Sequence, residues 1–190
     1  QLSPVNGIAI SDFDADGNLD VFLSQNSHAP QVETGRMDGG SGALLRGFGD
    51  GTFTGLRADR SGIVIPGDAK AVVLVDLNGD AWSDLLIAVN GGEMQAYETV
   101  PPVGGKVLTV DLQAAEALKV GTLLTVELTS GKQLSSEVYA GGSYLSQSSP
   151  IVRFAIPDGE NASGLTVRWS DGKVTKKQLG AEQLKVKINR

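Results

Sequence analysis

The chain has no cysteine, so a disulfide framework and thiolate metal sites are both excluded. It has one histidine, His28, set in a polar, glycine-rich stretch. A Ser-His-Asp triad therefore lacks a base with any neighbouring pattern, and His28 reads as a surface residue. No P-loop or dinucleotide fingerprint is present. No run approaches the roughly 18 apolar residues that a bilayer-spanning helix needs, and no signal peptide is expected in the residues that open this sequence. Gln1 is not a natural initiator, so the start is expected to be processed or trimmed. Helical periodicity is scarce too, Gln113 to Val120 being the single short candidate. Basic residues are few in the first half. Residues 1–100 carry 14 acids against 5 bases, a net of −9, and residues 101–190 carry 8 acids against 11 bases, a net of +3. A front half so poor in Lys and Arg argues against a nucleic-acid partner and for cations.

What the chain does have is glycine, 25 of them, scattered between short Val/Ile/Leu/Thr-rich runs. That pattern predicts many turns joining many strands. It also has an internal repeat. GIAISDFDADGNLDVFLSQ (residues 7–25) and AVVLVDLNGDAWSDLLIAVN (residues 71–90) each place an acidic loop between two apolar runs, with Asp12 and Asp76 lying 64 residues apart. A period of this size suits a four-stranded unit such as a propeller blade. Ala43–Gly47, Gly49-Asp50-Gly51 and Thr52–Leu56 read as strand, tight turn and strand. Gln25 to Gly42 reads as a long surface loop. Pro101-Pro102 marks a boundary, because proline removes a ladder donor and fixes φ. Beyond it, runs beginning at Lys106, Leu123, Gln133, Ile151, Leu165, Val174 and Leu184 predict seven short strands and a small β-sandwich. The expected fold is all-β: two blade-like antiparallel units over 1–100, then a sandwich over 101–190.

The acidic loops carry the chemistry. Asp12, Asp14, Asp16 and Asp20 occupy positions 1, 3, 5 and 9 of one loop, with Gly17 at position 6. Four carboxylates in nine residues repel one another unless a cation sits among them. A hard ion that accepts 6–8 oxygens is Ca²⁺, and Gly17 lets the chain fold back so that the Asn18 carbonyl can join the shell. Mg²⁺ demands a tighter octahedron, and Zn²⁺ would want His or Cys. The loop is not an EF-hand, since position 12 is Leu23 here and Ile87 in the second loop, and the flanks are β-branched. The second loop keeps oxygen side chains at the same positions in Asp76, Asn78, Asp80 and Asp84. It has Ala81 at position 6, which costs on the order of 1 kcal/mol if φ is positive there. Weaker calcium binding is expected at this loop. The plainer reading is that Asp, Asn and Gly simply favour turns.

DFDADGNLDVF and VDLNGDAWSDLLI resemble the calcium loops of FG-GAP repeats, also called VCBS repeats, and LLRGFGDGTFT is similar to the outer-strand segment of the same family. The resemblance covers residues 5–100. It implies blades of an integrin-α-type β-propeller. It also implies ligand roles for Asp12, Asp14, Asp16, Asn18 and Asp20, and for Asp76, Asn78, Asp80, Trp82 (by its carbonyl) and Asp84. GGSYLSQSSPIVRFAIPDGENASGLTVRWSDGKV resembles the ASPIC/UnbV domain over roughly residues 104–188. It departs from that family where a His-Phe-Gly-Leu-Gly run is usual and Arg153-Phe154-Ala155-Ile156-Pro157 stands here. Closing a propeller takes about six to eight blades, so the chain is expected to be the C-terminal part of a longer protein. Its two units would then pack on the sandwich, on upstream blades or on another copy.

Other features have bland readings beside functional ones. Gly141 to Ser149, rich in hydroxyls, is a ligand surface or an ordinary loop. Trp169 reads as a core indole, and Lys173, Lys176 and Lys177 as a solvated strand face. Asn161-Ala162-Ser163 is a glycosylation sequon if the source is a eukaryotic secreted protein. The functional expectation is a non-enzymatic, calcium-rigidified adhesion or recognition module of the cell exterior or envelope, binding a protein or a glycan. The alternatives are a purely structural capping or assembly domain, and an accessory domain of a secreted polysaccharide-active enzyme.

Overall fold

A computed structural model describes residues 3–28 and 32–190. Part of the loop expected from Gln25 to Gly42, residues 29–31, lies outside the described residues. The fold is all-β, with several antiparallel sheets and, among the described residues, no propeller or barrel closure. The first repeat is a four-stranded meander of β1 (Val5–Ser11), β2 (Asp20–Gln25), β3 (Ala43–Gly47) and β4 (Phe53–Leu56), paired in that order. The second repeat has β5 (Asp68–Val75), β6 (Asp84–Asn90) and β7 (Gln95–Tyr97), and stops at three strands where four were expected. The reason is local: the chain leaves β7 towards Pro101-Pro102, which offer no N–H to a ladder. A one-turn helix, α1 (Ala58–Ser61), links the repeats and ends on Gly62, whose φ of 72° fits the left-handed cap.

The repeat extends to its irregularities. The β1–β2 register shifts between Val5 and Gly7, and the β5–β6 register shifts between Ala69 and Ala71. The skipped residues, Asn6 and Lys70, are again 64 apart. The two sheets share one apolar core, in which Phe22 and Ile87 are fully buried beside Ile65 and Val72. At the end of β2, Asn26 is fully buried with a φ of 85°. Asparagine tolerates that conformation, and here its amide bonds Ser3, Gly40, Pro66 and Gly67, tying the strand end to the linker.

The second half contains all seven expected strands: β8 (Lys106–Gln113), β9 (Leu123–Leu128), β10 (Gln133–Glu137), β11 (Val152–Ile156), β12 (Ala162–Arg168), β13 (Val174–Gln178) and β14 (Lys185–Asn189). The short helix expected between Gln113 and Val120 is α2 (Glu116–Lys119). The sheets β10-β9-β12-β13 and β11-β8-β14 close over a core that includes Leu108, Leu124, Ile156 and Trp169. Trp169 is 1% exposed and donates its indole N–H to Thr175. One pairing departs from antiparallel: β14 runs parallel to β8. The Gly141 to Ser149 segment lies along β5, where Ser146 Oγ donates to the Val72 carbonyl and Ser148 Oγ accepts from the Leu74 amide. Ser146 and Ser148 thus occupy backbone groups of an edge strand distant in sequence rather than local backbone, while the Ser143 hydroxyl is buried with no hydrogen-bond partner.

Candidate metal centre

Both acidic loops join the first two strands of their repeat, and both are folded by the same side-chain-to-backbone bonds. In the first, Asp12 Oδ2 accepts from the Gly17 amide at 2.9 Å, and Asp16 Oδ1 accepts from the Asn18 amide at 2.8 Å. In the second, Asp76 Oδ2 accepts from Ala81 at 3.1 Å, and Asp80 Oδ1 accepts from Trp82 at 2.8 Å. Position 9 is alike as well. Asp20 takes the amides of Phe13 and Gly47, and Asp84 takes those of Leu77 and Thr99. Both aspartates are buried, so each ties its loop to a neighbouring strand or linker. Two residues in each loop have positive φ, with glycine and alanine exchanged: Ala15 (54°) and Gly17 (80°) in the first, Gly79 (85°) and Ala81 (74°) in the second. The strained conformation expected of Ala81 is therefore present, and Ala15 carries its counterpart.

The loops differ in what their carboxylates face. One oxygen each of Asp12, Asp14 and Asp20 lie within 4.8 Å of one another, the one such group of three or more acids among the described residues. Asp12 Oδ1 is buried and accepts no hydrogen bond. Burial pushes the Asp12 carboxyl up to about 7 against the Gly17 amide, and the charges of Asp16, Asp20 and Asp14 add to the rise. Asp20 is raised as well, first by burial, then by Asp14 and Asp16, with the Gly47 and Phe13 amides opposing. Arg46 on β3 relieves part of the crowding, with Nε 2.8 Å from Asp14 and Nη2 2.9 Å from Asp16. This oxygen-only donor set, with an orphaned buried oxygen at its centre, fits a hard divalent cation. Asp12, Asp14 and Asp20 could hold the ion, and it would offset their mutual repulsion. Asp16 leans on Arg46 rather than joining the three.

In the second loop both oxygens of Asp76 are engaged, Oδ1 by the Gly79 amide at 2.7 Å and Oδ2 by Ala81. Asn78 and Asp80 bond each other, Nδ2 donating to Oδ2 at 3.0 Å. Asp76, Asp80 and Asp84 do not form a convergent group of the first loop's kind. The Trp82 side chain turns into the boundary between the halves, packing with Ala15, Val107 and Ala155. Two cations from the sandwich reach the same boundary. Lys132, in the β9–β10 turn, donates to the Asp16 carbonyl at 3.3 Å and to Asn18 Oδ1 at 3.2 Å. Arg153, on β11, lies with Nη2 3.7 Å from Asp76 Oδ2. The acidic loops are thus the surface on which the sandwich docks. Sequence reasoning missed Arg46, Lys132 and Arg153. Arg46 stands beside the recognised Gly-Asp-Gly turn and Arg153 opens the run that departs from the ASPIC/UnbV pattern, but nothing local in the sequence places Lys132 or Arg153 at the acidic loops.

His28, given no role, is partly buried at the repeat's edge, and its backbone amide helps hold the Asp68 carboxyl. No helix among the described residues is long and apolar enough to cross a membrane. Residues 12–87 match the family model of the FG-GAP-like repeat, and residues 113–189 match that of ASPIC and UnbV. No curated protein matches the chain.

Proposed function

With an FG-GAP-like repeat region followed by an ASPIC and UnbV region as the premise, we propose that this is a calcium-rigidified, non-catalytic recognition module working outside the cytoplasm. The observation that carries the reading is the convergence of Asp12, Asp14 and Asp20 around the unpartnered Asp12 Oδ1. A bound ion supplies a fixed positive charge that cancels the carboxylate repulsion, so its binding energy becomes folding energy for the repeat. Ala15 lies inside that loop and packs on Val107 and Ala155, so stiffening the loop also stiffens the seat of the sandwich.

Recognition is proposed for the cleft of about 840 Å³ between the halves, where Ile8, Ile10, Phe53 and Tyr139 are exposed beside Lys132 and Ser143. Apolar walls with a few polar groups suit a protein segment or a glycan. Millimolar calcium outside cells would load a site of modest affinity.

The test has two arms on chelator-stripped protein. Calcium, and magnesium much less, should raise the melting temperature. Immobilised calcium-loaded protein should select ligands from glycan and peptide arrays that the chelated form loses. An unchanged melting temperature removes the calcium half of the reading. Empty arrays in both states favour the structural capping domain.

A further inference from the structure

We propose that Arg153 is the resident cation of the second acidic loop, so that the chain takes calcium at the first loop only. The inference rests on the calcium reading of the first loop and deepens it, because it names the residue that decides between two loops of one design. Arg153 has a side chain only 12% exposed, and Asp76, only 16% exposed, is the one carboxylate within 4.0 Å of its guanidinium among the described residues. A guanidinium cannot shed its proton, and a buried one left unpaired is strongly unfavourable. Asp76 occupies position 1, equivalent to Asp12 in the first loop. A divalent ion held by Asp76 would place two positive charges beside a fixed third and take away that third charge's partner.

The surroundings of the two position-1 carboxylates agree. Asp12 keeps a buried oxygen with no partner, whereas both Asp76 oxygens are bonded to amides and one also faces Arg153. The first loop has cations nearby too, but neither blocks it. Lys132 touches only the Asp16 carbonyl and the Asn18 side-chain amide oxygen, leaving the carboxylates free. Arg46 pairs with Asp14 and Asp16 with its side chain 42% exposed, and partly exposed pairs of this kind are weak enough for a divalent ion to displace. Acid count alone separates the loops by one neutral residue, Asn78. The largely shielded Arg153 separates them by charge at the first ligand.

Calcium calorimetry on the full chain, stripped with chelator, tests the assignment. Wild type should bind one ion, Asp12→Asn none, and Asp76→Asn still one with affinity within about twofold. Arg153→Met should bind two, and Arg153→Lys, which keeps the charge, one. Two sites in wild type with one lost in Asp76→Asn would overturn the inference, as would a single site in a folded Arg153→Met. No binding in wild type, or binding untouched by Asp12→Asn, would remove the calcium reading instead. The pairing of Arg153 with Asp76 is checked without metal by melting in chelator. Asp76→Asn should lower the melting temperature more in wild type than in the Arg153→Met background, and equal losses in both would overturn the pairing.

Discussion

Replacing Trp82 by alanine should uncouple the two halves of the molecule. The indole is 6% exposed and fills the boundary formed by Ala15, Ala81, Val107 and Ala155. None of these neighbours is large enough to collapse into the space it would leave. A buried Trp→Ala change costs about 3–5 kcal/mol, the upper part of that range applying where the hole persists, so a loss of about 4 kcal/mol is expected. It falls on the docking of the sandwich and leaves the sandwich core itself untouched. The chain has two tryptophans, and the variant leaves Trp169, at the centre of that core, as sole reporter. Urea unfolding followed by Trp169 fluorescence and by far-ultraviolet circular dichroism should coincide before the change and separate after it. The repeat half should unfold at the lower concentration. Gly105→Ala is the control: its methyl would sit 3.1 Å from Trp82 Cη2 and 3.3 Å from both Ala15 Cβ and the Pro102 carbonyl, so it should cost more in the wild type than in the Trp82→Ala background, where the first of these contacts is gone. Coincident transitions with a loss under about 1 kcal/mol would refute the assignment of Trp82 to the boundary.

Three further outcomes follow from the same geometry. Gly47→Ala should cost about 2–3 kcal/mol in thermal denaturation, because a methyl there runs into the Leu19 backbone carbonyl and pushes the Gly47 amide off Asp20; a neutral change would contradict the packing of β3 on the first loop. In Asp68, burial pushes the carboxyl up, but Lys70 at 2.6 Å, the Asn90 amide and the His28 amide outweigh it and hold it below the ordinary carboxylate range. Its stabilisation is present above that range and lost as pH falls through the depressed value. The stability gap between wild type and Asp68→Asn should therefore narrow in acid below about pH 4, and a constant gap would count against the ion pair. Asp12, at about 7 without metal, should lose a proton when calcium binds. Affinity should drop roughly tenfold per unit well below pH 7. The metal-free fold should lose stability as pH rises from the ordinary carboxylate range to about 7, since it holds a proton that the unfolded chain does not. Calorimetry in buffers of differing ionisation enthalpy reads that proton directly.

The repeats were legible because their chemistry is local. Asp at alternate positions followed by glycine folds its own loop through the Asp12 to Gly17 and Asp16 to Asn18 bonds, whatever lies outside. The seven sandwich strands were legible for a similar reason, since alternation of the kind seen in Leu124, Val126 and Leu128 marks one buried face. What stayed hidden depends on docking. The parallel pairing of β14 with β8 is set by where the chain returns. Trp82 was read as a carbonyl donor, and nothing in its loop said that its indole would seat a second domain. Lys132 and Arg153 lie far from the acidic loops in sequence, and only the tertiary fold brings their charges there.

The most direct test of the central claim is the calcium anomalous signal from a crystal grown with calcium chloride. A peak is expected in the first loop at about 2.3–2.6 Å from Asp12 Oδ1, with oxygens of Asp14 and Asp20 also facing it. A first loop without a peak at saturating calcium would contradict the account and reduce Asp12, Asp14 and Asp20 to the acids of a turn.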